Sequence, residues 1–366
     1  MDFKPIVQDI THPFAIKTSI KTTGRGTALI MFPDPVPAFF QDVMHGKIAK
    51  ELADTTGRDT ISMEVDAKFI GMTQLHGLAP DVKHMADIVA IHGLNGHPYG
   101  SWLSKSDSPK MWLKDFLPED APNCRIFIYG YESNIFSEPT HPRFDLAEQA
   151  DRLIQALDGI RGTDKLKKKP IIFIAHSFGG LVLAKALVKA CTGPSKKPLY
   201  SAAVGLFLLA CPLRGFHVQD ILDAMEADQQ ETEQDCITDN KAKALVQRLG
   251  EGNFRNELDS LPDILKGKRV YTFVEQRQTR MVVKGKVILR RDGELVMAAG
   301  PHTVILGLGS DMEEVISADK DHSSIVKFDL RSDETYQNIK RRIQDLVMPD
   351  SAPRRPFKFA LGRFAR

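Results

Sequence analysis

Cysteine is scarce. The four in 366 residues, at positions 124, 191, 211 and 236, form no C-x-x-C pair and no paired spacing. That argues against a disulfide-stapled secreted scaffold and reads as free thiols in a reducing, cytoplasmic compartment. Neither sign of charge is in excess: 49 basic side chains face 47 acidic ones, a formal net charge of +2. Without a global positive field, nucleic acid is not expected as a partner. Long apolar runs are also missing, and no stretch approaches the length of a membrane span. The start, Met1-Asp-Phe-Lys, places an acidic residue where a secretory leader carries basic and then apolar ones. No internal repeat is present. What remains, 42% hydrophobic and 26% charged, is the composition of a globular protein. The length suits one large domain, or a domain with a substantial appendage.

The most informative stretch is Pro170-Ile-Ile-Phe-Ile-Ala-His-Ser-Phe-Gly-Gly-Leu-Val-Leu-Ala-Lys185. Residues 171–175 form a continuous apolar run rich in β-branched side chains, as in a strand buried on both faces. From Gly179 onward, Leu181, Leu183, Ala184, Leu187 and Val188 follow helical spacing. A strand that becomes a helix within two residues strains its pivot, and small neighbours at 175, 179 and 180 let the backbones pass. Ser177, at the pivot, is thereby exposed over the positive end of the helix dipole. This is a nucleophile elbow, written A-H-S-F-G in place of G-x-S-x-G.

Other segments supply the frame. Residues 88–91 read as a second buried strand ending in His92-Gly93-Leu94-Asn95-Gly96, a glycine-rich turn that aims main-chain N–H groups into a site. Two aligned N–H groups can hold the oxyanion of a tetrahedral intermediate, an effect of roughly 3–4 kcal/mol per donor. Leu94 N–H and Phe178 N–H are assigned that role. His92 and His97 lack a third ligand at useful spacing, so no metal is expected, and no cofactor. Residues 124–129 and 204–210 read as further buried strands, and Leu146–Ile160 as a crossover helix. Strands alternating with helices in this way imply a parallel sheet with right-handed crossovers. Arg269–Glu275 reads as another strand, 284–298 as a hairpin around Asp292-Gly293, 303–306 as the last strand, and 330–347 as a closing helix. Residues 1–80 read as an N-terminal extension. Phe39, Phe40, Val43, Met44, Ile48 and Leu52 mark one amphipathic helix over 36–53, and 27–32 and 61–75 are strand-like, fit to extend a larger sheet at its edge.

The runs A-D-I-V-A-I-H-G-L-N-G-H, R-I-F-I-Y-G-Y and K-P-I-I-F-I-A-H-S-F-G-G-L-V-L-A-K-A-L resemble the α/β-hydrolase superfamily. More closely they resemble its serine-active-site lipase-like family, which includes the effector domains of fungal NACHT-type proteins and in which an alanine before His-Ser is familiar. The resemblance spans about 70 to 347. Ala210-Cys-Pro-Leu-Arg-Gly stands where that family tends to show Gly-Thr-Pro-His-Arg-Gly. The resemblance implies an α/β-hydrolase fold over 81–350: a mostly parallel central sheet flanked by helices, with a helical lid at about 217–266.

In such a fold serine, acid and histidine follow one another in the chain, each at a strand end. A serine needs a base to take its proton, and the imidazole needs a carboxylate to orient it. Of eleven histidines, His176 lies inside the elbow and His302 precedes a strand, whereas His322, in Asp-His-Ser, follows the last one. Glu275, in a Phe-x-Glu element like the family's, is the acid, with Asp311 and Asp321 as rivals. His92, Gly93, Asn95, His176 and Leu213 are expected around the substrate.

The expected activity is serine hydrolysis of a fairly hydrophobic carboxylic ester or thioester through an acyl-enzyme. Acyl transfer or lactone opening uses the same residues, and a non-catalytic interaction module is the reading from another class. The tail 351–366, with five positive charges and three phenylalanines, suits peripheral membrane contact.

Overall fold

The computed structural model describes residues 15–22, 25–31, 48–53, 60–65, 68–133, 145–214, 259–280, 283–284, 289–290, 295–296 and 298–347. Its centre is a seven-stranded sheet built from β5 (Gly71–His76), β6 (Ala86–Ile91), β7 (Cys124–Gly130), β8 (Ile171–His176), β9 (Ala203–Leu209), β10 (Arg269–Glu275) and β15 (Glu313–Ala318). The spatial order is β15-β10-β9-β8-β6-β7-β5. All neighbours are parallel except β5, which pairs antiparallel with β7 at one edge. This is an α/β-hydrolase fold.

The strands are apolar along their whole length because both faces are covered. Side chains alternate between two cores. Val89, Ile91, Phe127 and Phe173 point to the side occupied by α1 (Leu146–Ile160) and α2 (Gly179–Thr192). Ile88, Ala90, Ile172 and Ile174 point to the side covered by Trp102, Trp112 and α3 (Glu334–Val347). Each fully buried Ile or Phe removes enough apolar surface from water to stabilise the fold by about 1.5–3 kcal/mol. Asp145 caps α1, its carboxylate accepting from Ala147 N–H at 2.7 Å and Glu148 N–H at 3.2 Å. On the buried face of α1 the polar Gln149 is covered together with Leu146, Ala150, Leu153, Ile154 and Leu157, while Ala147 is only half-buried.

At the end of β6 away from its exit turn, the buried Asp87 is clamped by two arginines. Arg125 donates to both carboxylate oxygens, at 2.7 and 2.9 Å, and Arg161 also donates to Oδ2. Burial alone would raise the Asp87 carboxyl, but hydrogen bonds from His84 and Arg125 and the two guanidinium charges outweigh it and hold it below its usual range.

Several expectations are corrected. Of the predicted helix over 36–53, the described part, β3 (Ile48–Ala53), is a strand paired antiparallel with β4 (Thr60–Val65). Ile48 and Leu52, four apart, share a face in either periodicity, so they did not discriminate. Further upstream, β1 (Ala15–Thr22) pairs with β2 (Arg25–Met31), covering most of the strand expected at 27–32. β5 extends the sheet edge as expected, which makes part of the 1–80 segment integral to the central sheet.

Residues 303–306 are not the last strand. Pro301–Val304 is a helical turn, because Pro301 fits the first helical position and its carbonyl accepts from Ile305 N–H at 3.0 Å. The last strand is β15, disguised by Glu313 and Glu314. Glu313 is buried because its carboxylate accepts from Thr272 Oγ1 (2.7 Å), Leu306 N–H and Leu308 N–H (both 3.0 Å). The hairpin region pairs β11 (Thr279–Arg280) with β14 (Leu295–Val296) and β12 (Val283–Lys284) with β13 (Leu289–Arg290). The described pairs are Thr279 with Val296, Arg280 with Leu295, Val283 with Arg290 and Lys284 with Leu289, and Asp292-Gly293, where the hairpin turn was expected, lies outside the described residues. Most of the expected lid, and the tail 351–366, lie outside the described residues. The far end of the lid segment belongs to the body: Leu261 and Leu265 are buried in the core that holds α2.

Candidate active site

From 171 to 184 every residue is buried except Ser177. Ser177 sits between β8 and α2 with φ +50°, a conformation that costs an L-residue about 1–2 kcal/mol. Two hydrogen bonds hold it there: Ser177 N–H donates to Leu209 O and Gly180 N–H to Ser177 O, both at 3.0 Å. The glycines that follow are required by contact. A Cβ on Gly179 would lie 2.4 Å from His92 O, and one on Gly180 would lie 2.6 Å from Cys211 Sγ.

The loop after β15 carries His322 to the elbow. Its Nε2 lies 2.9 Å from Ser177 Oγ, and its Nδ1 lies 2.8 Å from Glu275 Oε2. The Glu275 side chain is fully buried at the end of β10, and its second oxygen accepts from Ala299 N–H at 2.9 Å. A carboxylate beside Nδ1 places the imidazole proton there and leaves Nε2 as the acceptor facing the serine hydroxyl. His176, predicted to lie near substrate, is nearly buried and donates from Nε2 to the His322 carbonyl at 2.8 Å, tying that loop to the elbow.

The rival acids lie elsewhere. Asp321 folds its carboxylate into its own loop, accepting from Ser323 N–H and Ser324 N–H at 2.8 Å. Asp311 precedes β15 rather than following a strand, at the end of the sheet opposite the elbow. His302 sits in the helical turn after Gly300.

The turn after β6 packs against the serine: a Cβ on Gly93 would lie 3.0 Å from Ser177 Cβ. Leu94 is half-buried, and its N–H donates to no backbone carbonyl among the described residues. Asn95, exposed, has φ +50° and gives its N–H to Ser133 O at 2.9 Å. The Phe178 side chain is fully buried in the α2-side core, so its backbone borders the elbow but its ring does not. Leu213 is likewise buried, just past Cys211.

His92 is fully buried with both ring nitrogens engaged. Nδ1 donates to Gly93 O at 2.9 Å, and Nε2 accepts from Tyr131 N–H at 3.4 Å. Burial pushes its pKa down to about 4, so the ring stays neutral and frames the turn. Cys211 lies just past β9, packed against Gly180 of the elbow. Its thiol donates to Ala175 O at 3.3 Å and burial raises its pKa, which makes it an inert packing group. Ala210 before it has φ +49°, a conformation that favours glycine. Ala299, which serves through its backbone N–H, and Tyr131 were not singled out by sequence reasoning. A main-chain donor leaves no residue-type signal, and Tyr131 was visible only as the last letter of R-I-F-I-Y-G-Y.

This arrangement sits on a chain whose residues 88–342 match the alpha/beta hydrolase family, and the protein belongs to that family. Among curated relatives, Protein SERAC1 of Danio rerio is 25% identical over 291 residues, covering 72% of this chain and 39% of that protein. Protein SERAC1 of Homo sapiens is 24% identical over 144 residues, covering 36% of this chain and 22% of the relative. The matched region thus spans well under half the length of those relatives. Among solved structures, the peroxisomal alpha-beta-hydrolase Lpx1 of Saccharomyces cerevisiae aligns with TM-score 0.42 and 11% identity, over 86% of this chain and 93% of that one. The Bacillus licheniformis lipase BlEst2 aligns with TM-score 0.39 and 15% identity, over 76% and 98%.

Proposed function

We propose that the protein is a serine hydrolase that cleaves a carboxylic ester or thioester with a fairly hydrophobic acyl or alcohol part. The observation that carries this reading is the continuous hydrogen-bonded chain Ser177–His322–Glu275, with contacts of 2.9 and 2.8 Å. Ser177 Oγ attacks the carbonyl carbon while His322 Nε2 takes its proton, and Glu275 stabilises the imidazolium so formed. The N–H groups of Leu94 and Phe178 receive the oxyanion, each worth about 3 kcal/mol at the transition state. Collapse of the tetrahedral intermediate breaks the bond to the leaving group, which departs with the proton from His322. Water, deprotonated by the same imidazole, then releases the acid.

The serine-active-site lipase-like family, with its fungal effector esterases, is the branch that the A-H-S-F-G and Asp-His-Ser elements favour. Residence in a reducing, cytoplasmic compartment is supported by Cys124 and Cys211, both buried as free thiols. The test is covalent labelling of the purified protein with a fluorophosphonate. One label per chain, lost in Ser177→Ala, is the expected result, and an unlabelled wild type overturns the proposal.

A further inference from the structure

The turn from His92 to Gly96 is held from outside by the three residues that leave β7. Tyr131 lies flat against the His92 imidazole, with ring centroids 4.5 Å apart and planes 17° apart. Its hydroxyl donates to His92 O at 2.9 Å, and its backbone N–H reaches His92 Nε2 at 3.4 Å. Two residues on, Ser133 O accepts from Asn95 N–H at 2.9 Å and Ser133 Oγ donates to Gly96 O at 3.1 Å. The turn is therefore gripped at its first, fourth and fifth residues by one short segment. Leu94 lies between those grips, in the turn that packs against Ser177 at Gly93, and its N–H donates to no backbone carbonyl among the described residues.

We infer that Tyr131 and Ser133 are positioning residues for oxyanion stabilisation, their hydroxyls fixing the His92 and Gly96 carbonyls so that Leu94 N–H, between them, holds its aim. The inference rests on the serine-hydrolase reading above. Its physical basis is that a donor helps only if it is in place before charge develops, since reorientation during the reaction uses up the gain. A buried tyrosine with its hydroxyl on a carbonyl is a rigid anchor, because the lost hydrogen bond leaves that carbonyl unsatisfied in an apolar setting. A neutral His92 keeps the anchor unchanged across the working pH range.

The experiment compares wild type, Tyr131→Phe and Ser133→Ala on a p-nitrophenyl ester and with a phenylboronic acid, which mimics the tetrahedral adduct. Both variants are expected to lower kcat about 10-fold with KM within twofold. Boronate affinity should fall by the same factor as kcat/KM, and fluorophosphonate should still label Ser177 to one equivalent. A folded variant with unchanged kcat and boronate affinity overturns the inference, as does a rise in KM alone. If Tyr131→Phe does not fold, Ser133→Ala is measured in the same way, and the same outcomes support or overturn the inference. A wild type that neither labels nor turns over ester overturns the underlying reading and this inference together, whereas a labelled wild type with an unaffected variant overturns this inference alone.

Discussion

His322 Nε2 lies 2.9 Å from Ser177 Oγ across 145 residues of chain, with the serine hydroxyl as donor. Because the two act as one unit, Ser177→Ala and His322→Ala should each lower kcat by at least about 10⁴-fold, and the double variant should be no worse than either. Steady-state kinetics on a chromogenic ester checks this. Additive losses in the double variant would mean that the two side chains do not share a step.

Glu275→Gln tests the orientation of the imidazole. Ala299 N–H still needs an acceptor, so the amide oxygen stays toward it and the amide NH₂ turns to His322 Nδ1. That forces the proton onto Nε2, which then cannot accept from the serine. The expected loss is about 10⁴-fold in kcat, with KM little changed. Glu275→Asp, too short to reach both partners, should be impaired while keeping the correct tautomer and more activity than the glutamine variant.

Stability should depend on pH through His92. Its folded pKa, about 4, lies below the ordinary 6.5, so the unfolded chain binds the extra proton. The neutral ring's contribution is fully present above pH 6.5 and is lost as pH falls from there toward 4, amounting to roughly 3 kcal/mol at most. Urea unfolding at pH 7.5 and pH 5, with His92→Asn as comparison, measures it. The variant should show the weaker pH dependence over that window.

Asp87→Asn should uncouple stability from chemistry. It leaves Arg125 and Arg161 buried beside a neutral amide, at a cost of about 3–5 kcal/mol. Asp87 sits at the start of β6 and the His92–Gly96 turn follows its end, so kcat per folded molecule should stay within twofold. A large loss of kcat in the folded variant would show that the clamp reaches the site.

The strands that carry the site were legible in the sequence because they are covered on both faces. Runs such as Ile171-Ile-Phe-Ile-Ala leave little alternative, and Gly179 and Gly180 marked the elbow because only a missing side chain fits there. β15 was not legible, since the pattern of an edge strand with one buried carboxylate looks like a loop until Thr272 and the 306–308 backbone are brought to it. The helical turn at Pro301 was hidden by β-branched neighbours. Of the hydrogen-bonded chain, the three side chains could be named from strand order and family resemblance. The grips of His176, Ala299 and Tyr131 could not, because each joins a side chain to a main-chain atom, of His322, Ala299 and His92 respectively, far away in sequence.

The antiparallel pairing of β5 with β7 bears on where the chain can be cut. Gly71 to His76 satisfies the outward N–H and C=O groups of β7, the strand that leads directly into Tyr131. A shortened chain beginning at residue 81 would bare that row as an open ladder, a template for sticking to another copy of itself. Such a fragment should run as oligomers in gel filtration, even though every residue of the catalytic reading is still in it.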